Sequence, residues 1–280
     1  MSLHDITPSL KNVAQAVYCH NPSPFQKVKL SDLFDQPKLF FFTIFYKYLY
    51  SINIKKNKFV IVQQMWIKNA FVKEFSLISD KIIVAPPKVP KKSYKKLEFK
   101  SNSSIKSKFV FFYPTLSRPF KNIEVICEAA NLLITNGVDD FEIIITVNGT
   151  ENNYSKRIVE KYSYIKNINF IGRISREEVY SYYSVTDCLL FPSKLETWGL
   201  PISEFKQFDK PIILSDLPYA KETGGDYDKL KFFNPDSKNE LFECIKDLIT
   251  GEIEFDLSKQ INKSGIVVND WGDLFLKIIR

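Results

Sequence analysis

Glycine is scarce in this chain, and it is missing from the first part altogether. All nine glycines come after residue 136. A nucleotide-binding α/β domain typically begins with a glycine-rich turn between its first strand and first helix, because the backbone there must pass close to a phosphate. Residues 1–90 contain no such turn and are also few for a complete domain of this kind. We therefore expect the chain to begin in the middle of a domain.

Residues that commonly bind metals are few as well. There are two histidines, His4 and His20, and four cysteines that stand far apart with no C-x-x-C pair. This spacing is typical of reduced, buried thiols and argues against a zinc site or a disulfide framework. We therefore expect no bound metal. We also expect a cytosolic protein, since residues 1–9 lack the apolar core of a signal peptide. The apolar run 39–54 is interrupted by Lys47 and falls short of the ~20 residues that span a bilayer.

The positive charge is concentrated at the front of the chain. Residues 1–100 contain 17 lysines and six acidic residues, a net charge of +11, whereas residues 101–280 contain 22 basic and 26 acidic residues. Basic, aromatic-rich segments can bind nucleic acid, anionic membranes or acidic substrates. The alternative is that the lysines only keep an apolar domain soluble. We expect no nucleic-acid partner, because no basic recognition helix or aromatic RNA-binding motif is present.

From residue 108 onwards, apolar runs alternate with segments of helical periodicity. The predicted strands are 109–113, 141–147, 168–171, 188–191 and 211–214, and the predicted helices are 121–136, 152–162, 175–185 and 200–208. Continuous apolar strands joined by helices predict a parallel sheet covered on both faces. Ligands of such sheets bind at the carboxyl ends of the strands.

The first part follows the same pattern less completely. Strands are predicted at 16–20, 58–64 and 81–87, and helices at 38–53 and 65–75. The fold class is therefore α/β, with two Rossmann-like, doubly wound parallel-sheet domains, the first of them truncated. The predicted divisions are a partial domain at 1–90, a Lys-, Ser- and Pro-rich linker at 91–107, a second domain at 108–268 and a terminal helix at 269–280.

The segment FPSKLETWGLPISEF, residues 191–205, contains two acids around a predicted helix start. Pro201 fits the first turn of a helix, and Gly199 lets the backbone approach a ligand, so that N–H groups point at an anion such as a diphosphate. Glu196 in the preceding loop is suited to accept hydrogen bonds from sugar hydroxyls. Glu204, one turn inside the helix, is suited to accept them from a vicinal diol such as ribose.

Two cations occupy the corresponding position after the first strand of the second domain. Arg118 and Lys121 follow strand 109–113 and precede the next predicted helix. Their charges would point to the same edge of the sheet and would neutralise a diphosphate without a metal. The alternative is that both are solvated surface residues.

Residues 170–222 resemble the donor-binding half of the retaining family-4 glycosyltransferases, which have the GT-B fold. The motifs are F-x-G, S-x-E-E, P-S-x-x-E, the E-x7-E pair, G-L-P and P-I-I-x-S-D, in this order. The resemblance covers roughly 108–280 and includes the terminal helix, which in that family crosses back onto the N-terminal domain. Residues 1–90 match only the second half of the family's N-terminal domain.

The resemblance implies transfer of a sugar from a nucleotide diphosphate sugar, with retention and without a metal or other cofactor. It implies that Glu196 contacts the transferred sugar, that Glu204 contacts the ribose and that Lys121 neutralises phosphate. The backbone near Gly199 and Leu200 would face the diphosphate and the sugar.

The resemblance also concerns Thr197, Gly172 and Arg118. Thr197 and Gly172 are additional donor-binding candidates. The family usually has Gly-Arg directly after the first strand, where this chain has Pro114 and Thr115, so that Arg118 would act from three residues further on.

His20 follows the first predicted strand in the segment YCHNPSPF. The family places a histidine facing the donor sugar at a similar strand end, which makes His20 a candidate for orienting the sugar or the acceptor. The alternative is a structural hydrogen-bonding role.

Two interpretations are open for the aromatic segment 38–58. It is either a buried helix or an amphipathic surface that contacts a membrane. The function that we expect is a cytoplasmic glycosyltransferase, peripheral at the inner face of the membrane, that adds a sugar to a glycan or lipid-linked glycan in surface polysaccharide synthesis. The alternatives are a non-catalytic donor-binding subunit that needs a missing segment or partner, and another GT-B enzyme such as a nucleotide-sugar epimerase.

Overall fold

The computed structural model describes residues 1–25, 37–89, 108–256 and 265–279. The chain divides into two compact units: unit 1 consists of Met1–Lys88, Leu195–Trp198 and Ile261–Arg280, and unit 2 consists of Val89–Lys194 and Gly199–Gln260. The predicted linker at 91–107 lies outside the described residues.

The strands and α-helices follow each other in chain order. They are β1 (Ala16–Tyr18), α1 (Pro37–Ser51), β2 (Phe59–Val62), α2 (Met65–Phe75), β3 (Ile82–Val84), β4 (Phe109–Tyr113), α3 (Ile123–Thr135), β5 (Phe141–Ile145), α4 (Asn153–Tyr162), β6 (Ile168–Phe170), α5 (Arg176–Val185), β7 (Cys188–Phe191), α6 (Leu200–Phe205), β8 (Ile212–Ser215), α7 (Pro218–Gly224), β9 (Leu230–Phe233), α8 (Lys238–Thr250) and α9 (Trp271–Ile279).

Unit 1 is built on a parallel sheet with the strand order β1-β2-β3. Ile61 in β2 and Ile83 in β3 are fully buried, and they share a core cluster with Leu274 of α9. The other face of the sheet packs on Phe71 of α2 and Tyr50 of α1. Apolar strands that alternate with helices thus bury both faces of this sheet, as expected for parallel strands.

Unit 2 contains a parallel sheet with the order β6-β5-β4-β7-β8-β9. Within this sheet, β4 is followed by β5 and β6 on one side, and the chain then returns so that β7 pairs with the other side of β4. The strand order therefore reverses between β4 and β7, and at such a switch point the loops diverge and leave a crevice at the carboxyl ends of the strands. This edge carries the predicted site residues of unit 2.

The predicted strands and helices of both units are confirmed, with boundaries that shift by up to three residues. The predicted helix 200–208 is α6 followed by a 3-10 turn at Lys206–Phe208. The strand β9 and the helices α7 and α8 were not predicted. β9 is a short edge strand with Lys231 in it, and α7 ends after seven residues at a glycine pair, so that neither has a long apolar pattern. In the described part of the chain, no helix is long and apolar enough to cross a bilayer.

Candidate functional site

The loops that follow β4 and β7 are joined by hydrogen bonds. The backbone N–H of Lys194 donates to the carbonyl oxygen of Phe120 over 2.7 Å. The side-chain amide of Asn122 donates to the carbonyl oxygen of Pro192 over 3.3 Å. These contacts bring the two sides of the switch point together.

Asn122 is the centre of this arrangement, and sequence reasoning missed it. It has a left-handed backbone (φ 58) and is buried, and its amide also donates to the carbonyl oxygen of Pro235 over 2.8 Å. Asparagine tolerates this conformation better than most residues. Asn122 ends the 3-10 turn Pro119–Lys121, and it thereby holds Lys121 at the start of α3.

Lys121 and Gly199 lie against the same aromatic ring. The ammonium nitrogen of Lys121 is 5.8 Å from the ring centroid of Phe191, the last residue of β7. A Cβ atom at Gly199 would be 3.4 Å from Cε1 of the same ring. The structure thus brings the predicted phosphate-binding lysine together with the predicted glycine, although 78 positions separate them in the chain.

Gly199 begins α6 with a backbone conformation that favours glycine. Its φ is 81° and it is buried, and an added Cβ would lie 3.0 Å from Cδ1 of Ile202. The N-cap residue of α6 is Gly199, which has no side chain to cap the helix. The N–H groups of a first helical turn carry a partial positive charge, so that this turn and the Lys121 ammonium together favour an anion. Leu200, the next residue, is 45% exposed.

Glu204 lies inside α6, and its side chain is only 9% exposed. Its Oε1 accepts a hydrogen bond from Nη2 of Arg176 over 2.7 Å, and its Oε2 accepts one from the hydroxyl of Tyr183 over 3.3 Å. Burying a carboxylate is unfavourable unless its oxygens accept hydrogen bonds of this kind. The predicted acceptor is therefore oriented by two side chains of α5 that the sequence did not indicate.

Arg176 occupies the first turn of α5, after the N-cap Ser175. Its guanidinium group lies over the ring of Tyr180 at 5.7 Å. Hydrogen bonds to Tyr180 and to Glu204 raise the pKa of Arg176, and burial raises the pKa of Tyr183. At neutral pH the arginine is thus charged and Tyr183 is a hydrogen-bond donor.

Gly172 lies in the loop after β6, with φ 78. A Cβ atom there would be 2.6 Å from Nδ2 of Asn148, which follows β5. The loops after β5 and β6 therefore approach each other at the same edge of the sheet as the Lys121 turn, in a backbone conformation that favours glycine.

Arg118 is exposed, and its carbonyl oxygen accepts the N–H of Lys121 over 2.9 Å. The preceding Ser117 is held by Asn152, through a hydroxyl-to-amide-oxygen hydrogen bond of 2.7 Å. The backbone on both sides of Arg118 is thus anchored, while its side chain reaches into solvent.

Glu196 and Thr197 lie in the segment 192–199 that connects β7 to α6, and both are half-buried. Their place in the chain is directly before Gly199. The roles given to them by the family resemblance stay predictions.

His20 belongs to unit 1 and lies just beyond β1. Its partner is Asp5, which sequence reasoning did not consider: Oδ1 of Asp5 accepts the backbone N–H of His20 over 2.6 Å and lies 3.3 Å from Nδ1 of the imidazole. Asp5 is 2% exposed and also accepts hydrogen bonds from the hydroxyls of Tyr46 and Tyr50. The imidazole is 49% exposed; Asp5 contacts its Nδ1, and the ring of Tyr18 stacks on it with the centroids 6.0 Å apart.

Comparison with known families identifies the family of this chain. The model of the family described as Glycosyl transferases group 1 matches residues 93–267, which is more than half of the chain. The chain belongs to the group 1 glycosyl transferases. This group 1 chain is 24% identical over 247 residues to the O-antigen chain mannosyltransferase RfbU of Salmonella typhimurium, and the match covers 88% of this chain and 63% of RfbU.

Solved structures confirm the fold of this group 1 glycosyl transferase. The complex of Anabaena Alr3699/HepE with UDP-glucose is similar with a TM-score of 0.66 and 15% identity, covering 85% of this chain and 63% of that one. TarM is similar with a TM-score of 0.63 and 16% identity, covering 86% of this chain and 44% of TarM. The predicted α/β architecture with parallel sheets, of the GT-B type, is thereby confirmed. The chain spans less than two thirds of the length of these relatives.

Proposed function

We propose that this group 1 glycosyl transferase moves a hexose or deoxyhexose from a nucleotide diphosphate sugar to a glycan acceptor, with retention, in the synthesis of a surface polysaccharide. The relative RfbU is named as an O-antigen chain mannosyltransferase, which makes a nucleotide-activated mannose the first donor to test. HepE was solved with UDP-glucose, which makes that donor the second.

The observation that carries the proposal is the meeting of Lys121 with the start of α6 around Phe191. In the proposed reaction, the bond between the anomeric carbon and the diphosphate oxygen breaks, and the nucleoside diphosphate leaves with an additional negative charge. The Lys121 ammonium and the first turn of α6 stabilise that charge as it develops. Arg118 adds a second cation from the same loop.

The other donor contacts follow from the positions of the two glutamates. Glu204 has its carboxylate oriented by Arg176 and Tyr183, and a carboxylate has lone pairs left for the ribose hydroxyls. Glu196 accepts from hydroxyls of the transferred sugar, with Thr197 beside it and Gly172 as a further donor contact. Neither glutamate is needed as a nucleophile.

The acceptor hydroxyl attacks the anomeric carbon from the face that the diphosphate leaves, and its proton departs with the leaving group. This route gives retention. Positive charge at the diphosphate is supplied by Lys121, Arg118 and the α6 backbone, so we propose that no metal or other cofactor takes part. His20, oriented by Asp5, is proposed to position the sugar or the acceptor.

We also propose that the acceptor is a glycan or a lipid-linked glycan, and that the enzyme works in the cytoplasm at the inner face of the membrane. The lysine-rich first part of the chain supports this location.

Calorimetric titration of the nucleotide diphosphate tests the donor site. Lys121→Gln is expected to weaken binding by about tenfold or more, because a charge-assisted contact is lost. The matched control is Lys246→Gln on α8, which pairs with Glu243 at the surface and should leave the affinity unchanged. Undiminished affinity in Lys121→Gln would show that Lys121 does not contact the donor.

A transfer assay with NMR detection of the product's anomeric configuration tests the reaction. Retention in the presence of a chelator is the expected result, whereas an inverted product contradicts the proposed attack. Donor binding without turnover, restored by a partner protein, would favour the alternative of a donor-binding subunit.

A further inference from the structure

The helix α1 is apolar on both of its faces, but only one face is buried. Tyr50 and Thr43 are 1% and 3% exposed on the inner face, and Tyr50 contacts Phe71 of α2. On the opposite face, Phe41 and Tyr48 are 61% and 63% exposed. A helix that is hydrophobic all round is normally buried all round. The interpretation of this segment as a buried helix therefore holds for one face only.

The exposed residues form one stripe. Phe41, Ile44, Phe45 and Tyr48 follow the spacing i, i+3, i+4 and i+7, which places them side by side along one face of a helix, and each is at least half exposed. We name these four residues the aromatic stripe. Single exposed apolar residues are common on soluble proteins, but a contiguous apolar face of this kind marks a binding surface.

The charge around the aromatic stripe is mainly positive. Residues 36–73 contain seven lysines and no aspartate or glutamate, and Glu74 of α2 pairs with Lys47 of α1. Lys38 lies one turn before Phe41 on α1, and Lys55 and Lys56 follow in the 3-10 turn Ile54–Lys56; all three are exposed. An apolar face with cations at both ends is suited to bind a partner that has an apolar interior and an anionic surface.

An anionic lipid bilayer is a partner of this kind. Phenylalanine and tyrosine side chains favour the boundary between lipid headgroups and acyl chains, and lysines near them gain from anionic headgroups. We propose that the aromatic stripe binds the headgroup region of an anionic bilayer, with α1 lying in the plane of the membrane. This assigns a surface to the proposed location at the membrane, and it does not depend on the sugar-transfer reaction.

Co-sedimentation with vesicles tests the proposal. The protein is expected to bind vesicles of phosphatidylglycerol and phosphatidylethanolamine, to bind phosphatidylcholine vesicles weakly, and to dissociate as salt is raised. The double variant F41S/F45S should lower the partition coefficient by about tenfold or more, since two rings are removed from the apolar contact.

The matched control is the double variant V13S/I78S, which changes two apolar residues of unit 1 outside the stripe that are 61% and 66% exposed. Its partition coefficient should stay close to that of the wild type. Because all four side chains are exposed, both variants should keep the wild-type melting temperature, which thermal unfolding measures.

Two results would overturn the proposal. The first is equal binding of wild type and F41S/F45S to anionic vesicles, or no binding by either. The second is self-association in light scattering that F41S/F45S abolishes, without vesicle binding, because a second copy of the chain would then cover the stripe. Donor binding is measured separately by calorimetry, so that a failure here is distinguishable from a failure of the proposed transferase activity.

Discussion

Nη2 of Arg176 lies 2.7 Å from Oε1 of Glu204, and this pair connects the start of α5 to α6. A cation in the first turn of a helix is disfavoured by the helix dipole, so that Arg176 does not stabilise α5 by its position. Its charge is instead directed to Glu204, which lies 28 residues away and is almost fully buried. The pair keeps an oriented hydrogen-bond acceptor at the carboxyl edge of the unit 2 sheet.

Removing Arg176 should therefore weaken nucleotide binding through Glu204. We expect Arg176→Ala to reduce the affinity for the nucleotide diphosphate by about tenfold, because Glu204 loses its orienting donor. Arg176→Lys keeps the charge but not the planar donor group, and should give an intermediate loss. Calorimetry measures both, with the exposed Arg157→Ala on α4 as control.

The Arg176 prediction is distinguished from general destabilisation by the conservative variant. If the planar guanidinium group orients Glu204, Arg176→Lys should keep part of the affinity that Arg176→Ala loses. Equal losses in the two variants, or unchanged affinity in both, would contradict this role of Arg176.

Gly199→Ala should damage both stability and donor binding. The positive φ costs about 1–2 kcal/mol for alanine, and the new Cβ would meet Ile202 and Phe191. The control is Gly251→Ala at the end of α8, where φ is 77° and nothing lies within 4 Å of the added atom. Gly251→Ala should lose stability in urea unfolding yet bind the nucleotide as the wild type does. Equal affinity in Gly199→Ala would show that this backbone does not contact the donor.

Asn122→Asp should destabilise unit 2. Aspartate has nearly the same shape and tolerates the left-handed backbone, but it cannot donate to Pro192 and Pro235. Two buried carbonyl oxygens would lose their donor, at a cost of about 2–3 kcal/mol. Asn136→Asp is the control, because its amide donates to Leu132 at an exposed helix end. Urea midpoints measure the difference, and similar midpoints for the two variants would contradict the role of Asn122.

Lys210 caps the C-terminal end of α5. Its ammonium group donates to the carbonyl oxygens of Tyr183, Ser184 and Thr186 over 3.1, 2.8 and 2.6 Å. Burial lowers the pKa of Lys210, yet these oxygens satisfy all three of its donors.

Lys210→Met should lower the free energy of unfolding by about 2 kcal/mol, because hydrogen bonds from a charged group and a favourable dipole contact are lost. Lys229→Met is the matched control: its ammonium group pairs with the 78% exposed side chain of Asp209 and donates to one backbone carbonyl, and it should contribute less than about 1 kcal/mol. A loss in Lys210→Met no greater than in the control would rule out this capping role.

Much of the unit 2 architecture followed from periodicity. The strands at 109–113 and 188–191 are continuous apolar runs, and such runs joined by helices are stable only in a covered parallel sheet. Parallel strands place their following loops at one edge, so that chain order alone predicts that Lys121 and Gly199 lie at the same edge of the sheet. By contrast, β9 is as long as β7, but Lys231 interrupts its apolar run, so that it lacks this continuous signal.

The sequence by itself determined the alternation of strands and helices, the family, and the edge of the sheet at which a ligand would bind, because these depend on local pattern and chain order. Only the tertiary structure decided that Arg176 pairs with Glu204, that Asn122 bridges the loops after β4, β7 and β9, and that Asp5 holds His20. These contacts join residues 15 to 113 positions apart. Hydrogen bonds of this kind depend on distances that are set when the whole unit packs, and no residue type or spacing in the chain signals them.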